Sequence, residues 1–375
     1  SGCTGPSVYI SDRSPAVAYR AAELYYKHDQ FDEARARFEK VIIAYPNSEV
    51  ARYSANLIIE TYLAAEDWDN VQKWSQRLME IAQNSKGESA EEKKARADLV
   101  ENLKNFKVGA QFKKAEELDA KGEFEQAADL YVALVNDQPD HQFADKALFN
   151  AAVAYEKVNR FDAASKIYQR IYDNYPKSEL ADRALFRVGV NFEKGFDFPG
   201  AIQAYTQLVE RYPKSEFRAD SLYNVAVTLE NQQQYGQAAV AFKRYAETFP
   251  DREDAGEVYF RSALVLEKME SWADVTTTLD NFVKKFGKNA KLKDRMVEAR
   301  KRMGDAYQKQ GKNTKSVAEY EECLREYKRR GFSTADRAST QAAQCAFEIA
   351  EDAFRTYDAL KIEGTGKKQA ATLTE

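Results

Sequence analysis

The chain is 375 residues long, and its 56 basic and 60 acidic side chains leave a net charge of −4. The signs are mixed throughout, which excludes the basic block of a nucleic-acid-binding surface. Hydrophobic residues make up 44%, but no run nears the ~18 apolar residues of a membrane-crossing helix. With only 8 prolines, 16 glycines and 3 cysteines, the composition favours long helices and excludes a disulfide framework.

Residues 1–13 carry Gly, Pro and Ser and read as a flexible tether. In it, Ser1–Gly2–Cys3 matches the last three of the four positions that close a bacterial lipoprotein signal. Cys3 is therefore a candidate for lipidation, which would hold the body near a membrane; a chance cysteine is the alternative. Residues 14–84 hold two repeat units, the first marked by Phe31, Ala34, Phe38 and Pro46, the second by Trp68 and Val71. Residues 85–105 interrupt the register, because Trp68 and Phe124 are 56 apart, 19 more than the 37-residue step. The charged run there reads as a helical extension, a long first helix of the third unit ending near Lys121. It would separate a two-unit arm from a six-unit body; an ordinary surface insertion is the alternative.

Residues 106–330 hold units three to eight. Pro139, Pro176, Pro213 and Pro250 lie 37 apart. Phe124, Phe161, Phe198 and Tyr235 keep that step, as do Ala127, Ala164, Ala201 and Ala238, and Tyr131, Tyr168, Tyr205 and Phe242. Trp272, Val275, Leu279 and Gly287 mark the seventh unit; Gly304, Tyr307, Ser316 and Tyr320 mark a weaker eighth. Residues 335–362 read as an amphipathic helix capping the stack, and residues 363–375 as a disordered tail. Cys323 and Cys345 fall on consecutive predicted helices, about equally far from the turn at Arg330–Ser333. A disulfide in an oxidising compartment and two buried free thiols both fit, the thiols being the plainer reading.

Each unit reads as two helices. In the fifth, Leu185, Val188, Gly189 and Phe192 share one face of a first helix. Gly195 and the Phe-Asp-Phe-Pro-Gly segment make the turn. Ala201, Tyr205 and Leu208 share a face of the second helix, and Pro213 ends it. Ser48, Ser178 and Ser215 are placed to cap the helices that follow. Ala152, Gly189, Ala226, Ala263 and Gly304 sit where the two helices of a pair would cross closely.

The chemistry-bearing motifs are absent: there is no P-loop, GxSxG elbow, HExxH or Rossmann glycine set. The histidines, His28 and His141, read as surface or cap residues. We expect no catalytic residue, no metal site and no cofactor.

The string Leu185–x2–Val188–Gly189–x2–Phe192, followed by Ala201, Tyr205 and Pro213, resembles the tetratricopeptide repeat. The resemblance spans roughly residues 15 to 330 and implies an all-α fold, with helix-turn-helix units stacked into a right-handed superhelical solenoid. Here the unit is longer than the usual 34 residues. Its YPNSEVA, YPKSELA and YPKSEFRA linkers look like a bacterial envelope subgroup, including the periplasmic Tol–Pal coordinator and outer-membrane assembly and motility lipoproteins. In this family the first helices line a concave face, which makes Phe149, Val153, Arg183, Phe186, Val190, Tyr223, Val227, Phe260 and Leu264 candidate partner-binding residues. Charges such as Lys146, Glu156 and Lys157 would flank them. The aromatic members fit a second reading, in which they pack adjacent first helices together. The expected function is a non-enzymatic scaffold for proteins or peptides of an envelope complex, facing the periplasm and held to the outer membrane through Cys3. A peptidoglycan or polysaccharide binder and a cytoplasmic adaptor are the alternatives.

Overall fold

Each aromatic that heads a repeat unit opens a helix. The computed structural model describes residues 14–84 and 89–359. The tether with Cys3, the start of the 85–105 insertion and the expected tail lie outside the described residues. Seventeen α-helices occur among the described residues, with no strand. The first pair is α1 (Pro15–Lys27) with α2 (Phe31–Ala44), and the second is α3 (Glu49–Leu63) with α4 (Trp68–Asn84). The third is α5 (Ala90–Ala120) with α6 (Phe124–Asp137), and the fourth α7 (Ala144–Lys157) with α8 (Phe161–Asn174). Then come α9 (Ala181–Lys194) with α10 (Phe198–Arg211), α11 (Arg218–Asn231) with α12 (Tyr235–Thr248), and α13 (Ala255–Lys268) with α14 (Trp272–Phe286). The eighth pair is α15 (Lys293–Lys309) with α16 (Asn313–Arg329), and α17 (Arg337–Asp358) follows alone.

One turn joins the helices of every pair. A backbone N–H reaches back to the carbonyl five residues earlier, as in Gln30 to Tyr25, Arg160 to Tyr155, Asp197 to Phe192 and Lys312 to Tyr307. This is the Schellman closure, which requires a left-handed residue one position before. Asp29, Glu66, Gly122, Asn159, Phe196, Gln233, Glu270 and Gly311 fill that position. The expected turn glycine of the fifth unit, Gly195, is therefore displaced by Phe196, with φ 61°.

The caps also differ in part. Ser48 caps α3 as expected, its Oγ accepting from the Ala51 N–H at 3.3 Å. Ser178 and Ser215 instead lie in a tight turn ahead of their helices. They accept from the N–H groups of Leu180 and Phe217, both at 3.1 Å. The turn before the serine is the same in all three, but a further turn at 179–180 and 216–217 delays α9 and α11 to Ala181 and Arg218, so these serines lie too early to cap.

The small-residue positions behave as sterics require. Ala152, Ala226 and Ala263 are fully buried, as are Ala164, Ala201 and Ala238. At Gly304 an added Cβ would lie 2.4 Å from the Tyr320 ring.

From Ala90 onward the insertion is continuous with the first helix of the third pair, together forming the 31-residue α5. Its start is a capping box: Ser89 Oγ accepts from the Glu92 N–H at 3.1 Å, and the Glu92 carboxylate accepts from the Ser89 N–H at 3.0 Å. Leu99 and Leu103 of its first half join the buried cluster containing Phe38, Ile42, Ile58 and Leu78. The first half of α5 thus packs into the core of the first two pairs. The compact units are residues 1–191 and residues 192–375. In the second, Cys323 on α16 and Cys345 on α17 are both fully buried and joined by a disulfide, with their Cα atoms 6.6 Å apart. The free-thiol expectation gives way because α17 packs its Ala338, Ala342 and Cys345 stripe against the preceding pair.

Candidate protein-binding face

The first helices of the pairs are amphipathic, and the expected site residues divide between their two sides. The aromatic column is mostly internal. Phe149 meets Tyr168 edge-on at 5.3 Å, Tyr223 meets Phe242 at 6.0 Å, and Phe260 meets Phe282 at 5.2 Å. Each ring thus packs on the second helix of its own pair, and two also meet the neighbouring first helix: Arg261 donates to the Tyr223 hydroxyl at 2.8 Å, and the Arg295 guanidinium lies 5.0 Å from the Phe260 ring centroid. Phe149, Phe186 and Tyr223 are partly buried, while Phe260 is only 1% exposed.

Val153, Val190, Val227 and Leu264, also 37 apart, are partly exposed. Two turns earlier on the same helices, Lys146, Arg183, Asp220 and Glu257 face solvent. This pair of columns gives each first helix an apolar spot with a charged neighbour. The charged neighbour is basic in α7 and α9 and acidic in α11 and α13.

The acidic residues in the last turn of the first helices do something else. Asp119, Glu156, Glu193, Glu230 and Glu267 keep the 37-residue step. Lys157 bonds Asp119 at 2.7 Å, and Arg187 forks onto Glu156, with its Nε 3.1 Å away. Glu193 accepts from Thr228 Oγ1 at 2.8 Å and from the Tyr205 hydroxyl at 3.0 Å. Arg261 and Lys268 both bond Glu230, at 2.9 and 2.7 Å, and Arg302 bonds Glu267 at 2.6 Å. Sequence reasoning placed Glu156 among the charges awaiting a partner. The structure makes it a buried rung tying one first helix to the next. Burial raises the Glu267 carboxyl above its ordinary value despite Arg302. Burial, reinforced by the Glu193 charge, pushes the Tyr205 hydroxyl far up.

The histidines hold structure. His28 is the C-cap of α1, and His141 Nδ1 accepts from the Phe143 N–H at 3.2 Å while Nε2 faces Asn105 Oδ1 at 3.3 Å. Desolvation lowers the His141 pKa. Among the described residues no group of three or more His, Cys, Asp or Glu side chains is placed to hold a metal ion. Nor is any helix among them long and apolar enough to cross a membrane.

No curated protein matches the chain. Among solved structures, a tetratricopeptide repeat protein from Parabacteroides merdae ATCC 43184 is 14% identical, covering 71% of this chain and 97% of that one at a TM-score of 0.35. YrrB, described as a TPR protein with an unusual peptide-binding site, is 13% identical over 58% of this chain and 99% of its own, at a TM-score of 0.33. MamA is 14% identical over 51% and 95%, also at 0.33. Family models described as tetratricopeptide repeat match residues 16–48, 112–179, 183–215, 220–252 and 298–328, together just over half of the sequence. With eight helix pairs in the matching register, the chain belongs to the tetratricopeptide-repeat family.

Proposed function

We propose that this chain is a non-enzymatic scaffold whose first helices hold other proteins or peptides of a bacterial envelope machine. The observation that carries this reading is the half-exposed column of Val153, Val190, Val227 and Leu264 beside its charged column. Within each compact unit, repeated apolar spots with charged neighbours suit an extended or helical segment laid across neighbouring first helices, Val153 with Val190 in one and Val227 with Leu264 in the other. The aromatic rings pack edge-on within their pairs, which weakens the reading as a polysaccharide binder: stacked sugars need free ring faces.

The address within that reading is periplasmic, at the outer membrane. The Cys323–Cys345 disulfide supports an oxidising compartment over the cytoplasm. A lipid on Cys3 would supply the anchor. Val227→Asp with Leu264→Asp should abolish partner capture after gentle crosslinking in the native cell, with helical content unchanged. Undiminished capture by that variant would move the binding face elsewhere. Mass spectrometry of the native protein checks Cys3 directly, and an unmodified thiol there would remove the anchor.

A further inference from the structure

Helix α17 is apolar on two sides. On one, Ala338, Ala342 and Cys345 are buried against α15 and α16, with Ile349 beside them. On the other stand Phe347, Phe354 and Tyr357, which are 63%, 65% and 66% exposed. Ala343, Ala346, Ala350 and Ala353 lie between them and are exposed too. The seven positions follow the i, i+3, i+4, i+7 spacing of a single helix face, and none is charged.

The two stripes lie about 110° apart around the helix at 100° per residue, and a helix with two apolar faces is built to be covered on both. Helix α17 packs on both helices of the pair before it, α15 and α16. Among the described residues no second helix follows to cover its other side. Residues 360–375 carry only Leu360, Ile362 and Leu373 as large apolar side chains, without helical spacing, so they make a poor cover.

We propose that the occupant is α17 of a second copy, laid antiparallel with the two-fold axis at Ala350. Residues equally far from Ala350 on either side then meet across the axis. Phe347 faces Ala353 of the partner subunit, Phe354 faces Ala346 of the partner subunit, and Tyr357 faces Ala343 of the partner subunit. Every aromatic lands on an alanine, and Ala350 meets its own copy. Large against small lets the helices approach and interdigitate, and the contact is self-complementary as a two-fold interface must be. Moving the axis by half a residue would instead set Phe347 against Phe354, so the pattern also fixes the register.

The area suffices. At about 200 Å² for a buried aromatic and the exposures above, each helix removes roughly 400 Å² of aromatic surface from water. Two copies remove roughly 800 Å² before the alanines are counted, near the ~1,000 Å² of a specific interface.

The test uses the full chain. Sedimentation velocity across a concentration series should shift reversibly from the one-chain to the two-chain mass. Phe347→Glu with Phe354→Glu should hold it at the one-chain mass with unchanged helical content, since both side chains are exposed. On a Cys3→Ser background, Ala350→Cys should form an interchain disulfide under mild oxidation. Ala343→Cys should not, because two such residues lie about 21 Å apart along the paired helices at 1.5 Å per residue. Ala343→Cys with Tyr357→Cys should crosslink again. A one-chain mass at every concentration overturns the proposal. So does a two-chain mass that survives the double Glu variant, or crosslinking of Ala343→Cys as readily as Ala350→Cys. A chain that stays single but loses a different protein on the double Glu substitution assigns the face to that protein and equally overturns self-pairing.

Discussion

Replacing Gly304 with alanine tests the close crossing of a helix pair. The new Cβ would sit 2.4, 2.5 and 2.9 Å from Cε1, Cδ1 and Cζ of Tyr320, where carbon contacts settle at about 3.5–4.0 Å. The ring must therefore retreat by about 1 Å. It is poorly able to, being 1% exposed with its hydroxyl bonded to Asp305 at 2.9 Å. The helices are also pinned at that point by Ser316 Oγ, which donates to the Gly304 carbonyl at 2.8 Å. Overpacking of this kind costs about 1–3 kcal/mol, and alanine returns about 1 kcal/mol through helix propensity. A net loss of up to about 2 kcal/mol follows, up to roughly a 30-fold drop in local protection. Amide hydrogen exchange in α15 and α16 is the assay, because the chain has two compact units and a single global midpoint would blur the effect. Gly109 in α5 is the control. Nothing lies within 4 Å of a Cβ there, so Gly109→Ala should raise protection by the propensity gain alone. If the two substitutions shift protection in the same direction, the steric reasoning is wrong.

Three shorter predictions follow from the same geometry. Reducing the Cys323–Cys345 bond, or replacing Cys345 with Ser, frees a 22-residue loop; α17 should lose up to about 3 kcal/mol, read as faster exchange there with α1 to α5 unaffected. Phe196 is 81% exposed in a left-handed turn. Phe196→Asn, the residue that Asn159 places in the same turn, should therefore stabilise by about 0.5–1 kcal/mol in chemical denaturation. Burial opposes ionisation of Glu298, but Arg302 and Arg295 outweigh it and hold its pKa below the usual glutamate value; Arg329 and Arg330 do the same for Glu326. Because these folded values are lowered, the stabilisation is complete above about pH 4.3 and is lost as pH falls through them. Melting temperature should therefore drop on acidification below that point, and less steeply for Glu298→Gln.

The repeat register was legible because aromatic, alanine and proline columns each answer to one local need: a helix start, a close crossing, a helix stop. The left-handed turn position was not legible. Only Gly122 and Gly311 show the expected glycine there; Asp29 and Asn159 are types that tolerate positive φ, while Glu66, Phe196, Gln233 and Glu270 carry no sequence sign of it. The fixed backbone closure forces whatever residue falls at that place. The disulfide was also undecided from sequence, since two cysteines 22 apart on neighbouring helices are as compatible with facing apart as with meeting. The candidate face was half legible. Periodicity found its columns, but periodicity alone does not say which side of a first helix meets its own second helix, and so it grouped buried Phe260 with partly exposed Leu264.

The acidic column shows why charge on a repeat surface is a poor guide to recognition. Glu156 is 8% exposed and held by Arg187, whose side chain is 36% exposed. Arg187→Met removes the guanidinium and strands a buried carboxylate. A fully buried pair broken this way costs about 3–5 kcal/mol; with Arg187 partly open to water, about 2 kcal/mol is expected here. Glu156→Gln added to Arg187→Met removes the stranded charge and should restore most of the loss, a coupling that a double-mutant cycle reads directly. Exchange in α7 and the first turns of α9 would report it. If the rung is structural, the double variant also captures partners as the parent does. Capture lost in the double variant with protection restored would mean that Glu156 or Arg187 contacts the partner, and the ladder would then belong to the binding face.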